Sequence, residues 1–172
     1  MAQFEVSEFY PVTMEISKSG RRTIDGGFIK NSLKSNESEF EKLLNSNGVY
    51  VFSTKAGRGR KPWYVGKAIK MNFGKEAFNS RNCLALNKVI DNRKGTLEVS
   101  FITQSRARGK PNLSQISEIE YLLIGHAAER NSELLNIQNK NQTDKFSIKN
   151  IYNSGRGRSN SHETDFKKLM GL

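Results

Sequence analysis

The 172-residue chain is poor in the side chains that build several common kinds of site. Cys83 is its only cysteine, so no internal disulfide can form. One cysteine and two histidines, His126 and His162, cannot supply a zinc site. Cys83 follows Arg81 and Asn82 in an expected helix, where a small buried thiol is the ordinary reading. No segment approaches the roughly 20 consecutive apolar residues of a membrane span. The first residues, MAQFEVSEFYP, lack the apolar run of a signal peptide, so the expectation is an intracellular, cytoplasmic protein without membrane association. Neither Gly-rich loop continues as Gly-Lys-Ser/Thr, which excludes a P-loop. No Pro-Asp dipeptide begins a P-D-(D/E)-x-K nuclease site, and the two isolated histidines do not suit an H-N-H site.

Acidic residues are also scarce. Lys and Arg number 28 against 17 Asp and Glu, a net charge of +11, which points to a polyanionic partner, with nucleic acid the common case. Hydrophobic residues make up 35%, so the core is expected to be modest and its extensions polar. The length suits a single domain.

Along the chain, residues 4–17 alternate loosely around Pro11 and predict one or two short edge strands. A polar, Gly-rich link leads to an amphipathic helix around residues 36–44, with Phe40, Leu43 and Leu44 on its apolar side. GVYVFST and PWYVGKA read as two strands joined across a long cationic loop, KAGRGRKP. Residues 75–95 carry helical spacing and stop at Gly95. TLEVSFIT, residues 96–103, is a third strand, followed by a basic loop and a helix over 113–130. A polar tail ends in a short helix from about Asn160. This order predicts an α+β domain built on a small, three-stranded, mainly antiparallel sheet flanked by helices. Residues 46–140 would be the core, 1–45 an N-terminal extension and 141–172 a C-terminal one.

The informative residue is Glu120. On a helical wheel Ile116, Leu123, Ile124 and Ala127 all fall within about 60° of it, which places a carboxylate amid an apolar face. Glu118 points about 160° away, toward solvent. An unpaired carboxylate there would be costly, so Glu120 is expected either to pair with a cation or to hold a metal ion. His126 lies on the helix flank, as a half-buried packing residue does.

These residues together resemble the GIY-YIG endonuclease family. Gly48-Val49-Tyr50 and Tyr64-Val65-Gly66 match its two name-giving tripeptides, and Lys67 follows as is typical. Arg81 matches the family arginine, with Lys75 and Arg93 as alternative positions. Glu120-Tyr121-Leu122-Leu123-Ile124 fits the context of the family glutamate. Asn136 fits the closing asparagine, with Asn139 as the alternative. The segments between Tyr64 and Arg81 and between Glu120 and Asn136 are longer than the short family form.

The resemblance implies a divalent-metal-dependent DNA endonuclease. Tyr50 would accept a proton from the attacking water, with its pKa lowered by Lys67 and Arg81, while Tyr64 hydrogen-bonds within the site. Arg81 would grip the scissile phosphate, and Glu120 would bind Mg²⁺, for which Mn²⁺ can substitute. Asn136 would orient the glutamate or a metal-bound water. Taken singly, each tyrosine would pass as a core residue of its strand.

Arg58, Arg60, Lys61, Arg106, Arg108, Lys110, Arg156 and Arg158 lie in Arg/Gly-rich segments and are candidates for phosphate contacts. The compact chain leads to the expectation of a restriction or defence enzyme, acting as a homodimer or by sequential nicks. A repair or mobile-element nuclease is an alternative. So are a non-catalytic DNA- or RNA-binding module on the same fold, and a ribosome-associated basic protein.

Overall fold

A computed structural model describes residues 3–24, 38–91, 93–105, 109–136 and 161–172. Its centre is the strand β5 (Gly48–Ala56), whose residues 48–53 are all buried. That burial explains why the segment reads as a nearly continuous apolar and β-branched run. β6 (Gly59–Ala68) lies antiparallel on one side of β5 and β7 (Thr96–Ser105) on the other. The expected three-stranded sheet is larger than predicted. β1 (Gln3–Val6) and β2 (Tyr10–Pro11) both pair antiparallel with the far side of β7, so five strands make up the sheet. These short strands cover an edge that would otherwise present free backbone groups. A separate two-stranded hairpin joins β3 (Glu15–Ile16) to β4 (Arg22–Thr23).

The connection between β5 and β6 also differs from expectation. The ladder runs on to the pair Ala56 and Gly59, leaving a turn of Gly57 and Arg58. Gly57 takes φ +58°, the left-handed conformation such a short hairpin turn needs. Arg60 and Lys61 are therefore strand residues, not loop residues.

Five helices lie among the described residues: α1 (Ser38–Leu44), α2 (Phe73–Glu76), α3 (Ser80–Asp91), α4 (Leu113–Arg130) and α5 (Ser161–Met170). They divide between the two faces of the sheet. Val49, Val51, Val65 and Ile102 alternate onto one face, where they pack with Ile116 and Leu123 of α4 and Phe166 and Met170 of α5. Tyr50, Phe52, Val99 and Phe101 take the other, against Phe73, Phe78, Cys83 and Leu86 of the α2–α3 region and Phe40 of α1. Both chain ends thus enter the core: Phe4 is 5% exposed and Phe166 fully covered. No helix among the described residues is long and apolar enough to cross a membrane.

α4 spans the predicted residues, and Asn112 caps it, its side chain accepting from the backbone N–H of Ser114 and Gln115. Past its end, residues 131–136 run along the open edge of β6. Asn131 Nδ2 donates to Pro62 O at 2.7 Å and the Leu135 N–H to Trp63 O at 2.9 Å. Asn136 takes both backbone groups of Val65, accepting from its N–H at 2.9 Å and donating to its carbonyl at 2.7 Å.

Candidate active site at the edge of strand β6

The two glycines of the signature have steric causes. Tyr50 stands opposite Gly66 in the ladder. A Cβ on Gly66 would sit 2.4 Å from the Tyr50 hydroxyl oxygen and from Cζ of its ring, so only glycine lets the phenol lie across β6. A Cβ on Gly48 would meet the Ile102 carbonyl oxygen at 2.1 Å. Tyr64 is a diagonal neighbour of Tyr50 on the same face, their ring centroids 6.1 Å apart. Two tyrosines on adjacent strands thus converge, as expected.

Their environments differ. Tyr50 is 1% exposed, and its hydroxyl accepts from Asn82 Nδ2 at 3.0 Å. Burial, with the Tyr64 phenol second, pushes its pKa far above the ordinary phenol range. The expectation that Lys67 and Arg81 lower the Tyr50 pKa is therefore corrected: desolvation dominates. Tyr64 is half-buried and also raised, by burial first. Asn82 and the Tyr64 ring thus both adjoin Tyr50.

Three charges act on Tyr64. Glu120 and Glu76 oppose its ionisation, and Arg81 favours it. Arg81 comes from the first turn of α3, Glu76 from the end of α2 and Glu120 from the middle of α4. Arg81 is thus a cation that favours ionisation of this phenol, while Arg93 meets Glu133 and the Trp63 ring. Glu120 lies where the apolar stripe of α4 meets the edge of the sheet, its side chain 17% exposed. It pairs with Lys67 Nζ at 2.8 Å. Lys67 alternates onto the face opposite Tyr64, so the site wraps around the edge strand and draws on both layers of helices. Beside this ion pair a groove of about 430 Å³ is lined by Lys67, Ser114, Ser117, Glu118, Glu120 and Tyr121.

Asn136 has a different place from the expected one. Both polar atoms of its amide are engaged by the Val65 backbone, so it fixes β6 between Tyr64 and Gly66. Asn139 lies outside the described residues, as do Arg106, Arg108, Arg156 and Arg158.

Of the described basic candidates, Arg58 stands exposed in the hairpin turn and Lys110 is exposed ahead of α4. Arg60 is spent inside the fold. Its guanidinium bonds Glu98 at 2.8 Å and Asp165 at 2.9 Å, and its centre lies 4.1 Å from the centroid of the Phe9 ring. Lys61 pairs with Glu133 at 3.3 Å.

Glu76 and Asn82 carry no motif signal and were missed by sequence reasoning. Their only hint is position, Asn82 next to Arg81 and Glu76 one turn before the helix that bears both. His126 is half-buried, as expected of a packing residue, and Cys83 is buried with its thiol 3.7 Å from Phe78 O.

Among the described residues no cluster of three or more His, Cys, Asp or Glu side chains could enclose a metal. One partly buried carboxylate facing a groove is a donor set that suits Mg²⁺, which keeps waters and takes substrate oxygens for its other ligands. No family model matches the chain, and no curated protein or solved structure is significantly similar to it.

Proposed function

We propose that the protein is a divalent-metal-dependent endonuclease of the GIY-YIG type that hydrolyses DNA phosphodiester bonds. The observation that carries this reading is the convergence at one strand edge of Tyr50, Tyr64, Arg81 and the Lys67–Glu120 pair. They come from four separate segments, and each is a residue type that phosphodiester hydrolysis requires.

Phosphodiester cleavage needs a proton acceptor for water and positive charge for the pentavalent transition state. Tyr64 rather than Tyr50 would be the phenol that faces the water, because Tyr50 is enclosed and Tyr64 only half-buried. Arg81 offers bidentate donors to the nonbridging oxygens of the phosphate. Lys67, paired with Glu120 at the border of the groove, would offer its ammonium to a substrate oxygen. A cation held at Glu120 would offset the charge that opposes ionisation of Tyr64, which Arg81 favours. Glu120 would hold the Mg²⁺, or Mn²⁺ in its place, and the ion would supply Lewis-acid stabilisation of the phosphate and the leaving oxygen. Net charge and exposed residues such as Arg58 and Lys110 support DNA as the polyanion.

The described residues share one core with no separate recognition domain, so loops would supply any specificity, as in a compact restriction or defence nuclease. Cutting both strands would take a homodimer or two nicks. A second reading, a non-catalytic nucleic-acid-binding module, is favoured by one observation: the Glu120 charge is already met by Lys67.

Incubating supercoiled plasmid with Mg²⁺ and with a chelator separates the two. The nuclease reading expects nicked and linear DNA with the metal alone; binding without cleavage under both conditions would establish the module.

A further inference from the structure

The β5–β6 register shifts between Phe52 and Ser53, where Tyr64 and Pro62 are the successive partners, so Trp63 is the extra residue of a bulge. A bulge re-aims a side chain. Trp63 Nε1 donates to Thr54 Oγ1 at 2.9 Å, and Thr54 follows the alternation of Tyr50 and Phe52. Trp63 and Tyr64, consecutive in sequence, therefore both address the face that carries the phenols.

The indole is 2% exposed, yet cations help to cover it. The centre of the Arg93 guanidinium lies 4.4 Å from its ring centroid and Lys61 Nζ 4.8 Å from it. Both meet a single carboxylate: Glu133 Oε1 is 2.8 Å from Arg93 Nη2 and Oε2 is 3.3 Å from Lys61 Nζ. All three side chains are outward, 39%, 41% and 54% exposed for Arg93, Lys61 and Glu133. Lys61 and Arg93 hold the Glu133 carboxyl below its usual pKa, so it is fully ionised at neutral pH. An adjoining cleft of about 420 Å³ is lined by Thr54, Arg60, Lys61, Trp63, Arg93 and Lys94 among others, none of them acidic.

Exposed pairs of this kind contribute little to stability. Their geometry is more informative. Two oxygens of one anion each take one cation above an aromatic ring, as two nonbridging oxygens of a phosphodiester would.

We propose that Lys61 and Arg93, seated on Trp63, form a subsite for a DNA phosphate flanking the one at Tyr64, and that Glu133 fills it in the free protein until DNA displaces it. The subsite rests on the proposed function for the word flanking, but not for its ability to bind a backbone phosphate. Displacement exchanges one anion for another, so the wild-type subsite adds little net affinity. It discriminates instead against anions that cannot compete with a tethered carboxylate.

Affinity for a mixed-sequence DNA duplex, measured in chelator over a range of salt, tests this without cleavage. Glu133→Gln is expected to tighten binding about three- to tenfold at low salt and to steepen the log–log salt slope by roughly one unit. Adding Lys61→Gln and Arg93→Gln to that variant should remove both gains. Unchanged or weaker binding by Glu133→Gln would overturn the subsite, as would a gain that survives in the triple variant, since that gain would not depend on Lys61 or Arg93. A protein that shows the predicted pattern but never cuts with Mg²⁺ would keep the subsite and lose the nuclease reading. One that cuts, with affinity indifferent to Glu133→Gln, would do the reverse.

Discussion

Arg60 and Lys67 stand near opposite ends of β6, and each meets a carboxylate at 2.8 Å, yet the two ion pairs have different characters. Arg60 is 16% exposed and held on three sides: by Glu98, itself 5% exposed, by Asp165 of α5, and by the Phe9 ring against its face. It ties β6, β7, the N-terminal segment and the last helix together. Lys67 is 32% exposed, pairs with Glu120, and borders an open groove. A cation gripped by two carboxylates and a ring is part of the scaffold. One with donors to spare beside a cavity can exchange its partner for a substrate, and that is the difference between a clamp and a site.

The comparison breaks most sharply by removing each cation in turn. Arg60→Met leaves Glu98 uncompensated in the interior and is expected to destabilise the fold by about 3 kcal/mol, read as a lower denaturation midpoint. Lys67→Met should cost under about 1 kcal/mol, because Glu120 can turn toward water. Its cleavage rate should nevertheless fall about a hundredfold or more. Equal destabilisation by the two variants would erase the distinction.

Gly66→Ala sharpens it at the neighbouring position. The new methyl would collide with the Tyr50 ring, and an overpacked site of this kind costs about 1–3 kcal/mol. The displaced phenol should also lose its contact with Tyr64, so cleavage falls further than stability alone accounts for. A Gly66→Ala enzyme of wild-type rate and midpoint would mean that the Tyr50–Tyr64 pairing has no part in function.

How far the sequence disclosed this arrangement depended on the range of the forces involved. α4 was legible to the residue, because eighteen positions of helical periodicity over a buried stripe leave little ambiguity. The position of Glu120 on that stripe followed from the same geometry. β5, β6 and β7 were legible as apolar, β-branched runs. β1 and β2 fall where short edge strands were expected around Pro11, but elements of four and two residues carry too little periodicity to reveal their pairing with β7, which extends the sheet beyond three strands. The hairpin turn was misread for a related reason. Lys, Arg and Gly suggest a loop, but the ladder holds them in strand conformation once the flanking residues are paired. The enclosure of Tyr50 was out of reach, since it depends on α3 crossing the sheet at Asn82. The same holds for Asn136: a side chain that closes a sheet edge and one that orients a carboxylate look alike until the partner strand is placed.

The central claim is that Glu120 serves chemistry and not merely packing at the edge of β6. Single-turnover cleavage of DNA with Mg²⁺, run beside equilibrium binding, tests it through Glu120→Gln. The account predicts a loss of about a thousandfold or more in rate, with DNA affinity changed by no more than about threefold. Turnover within tenfold of wild type in that variant would contradict it.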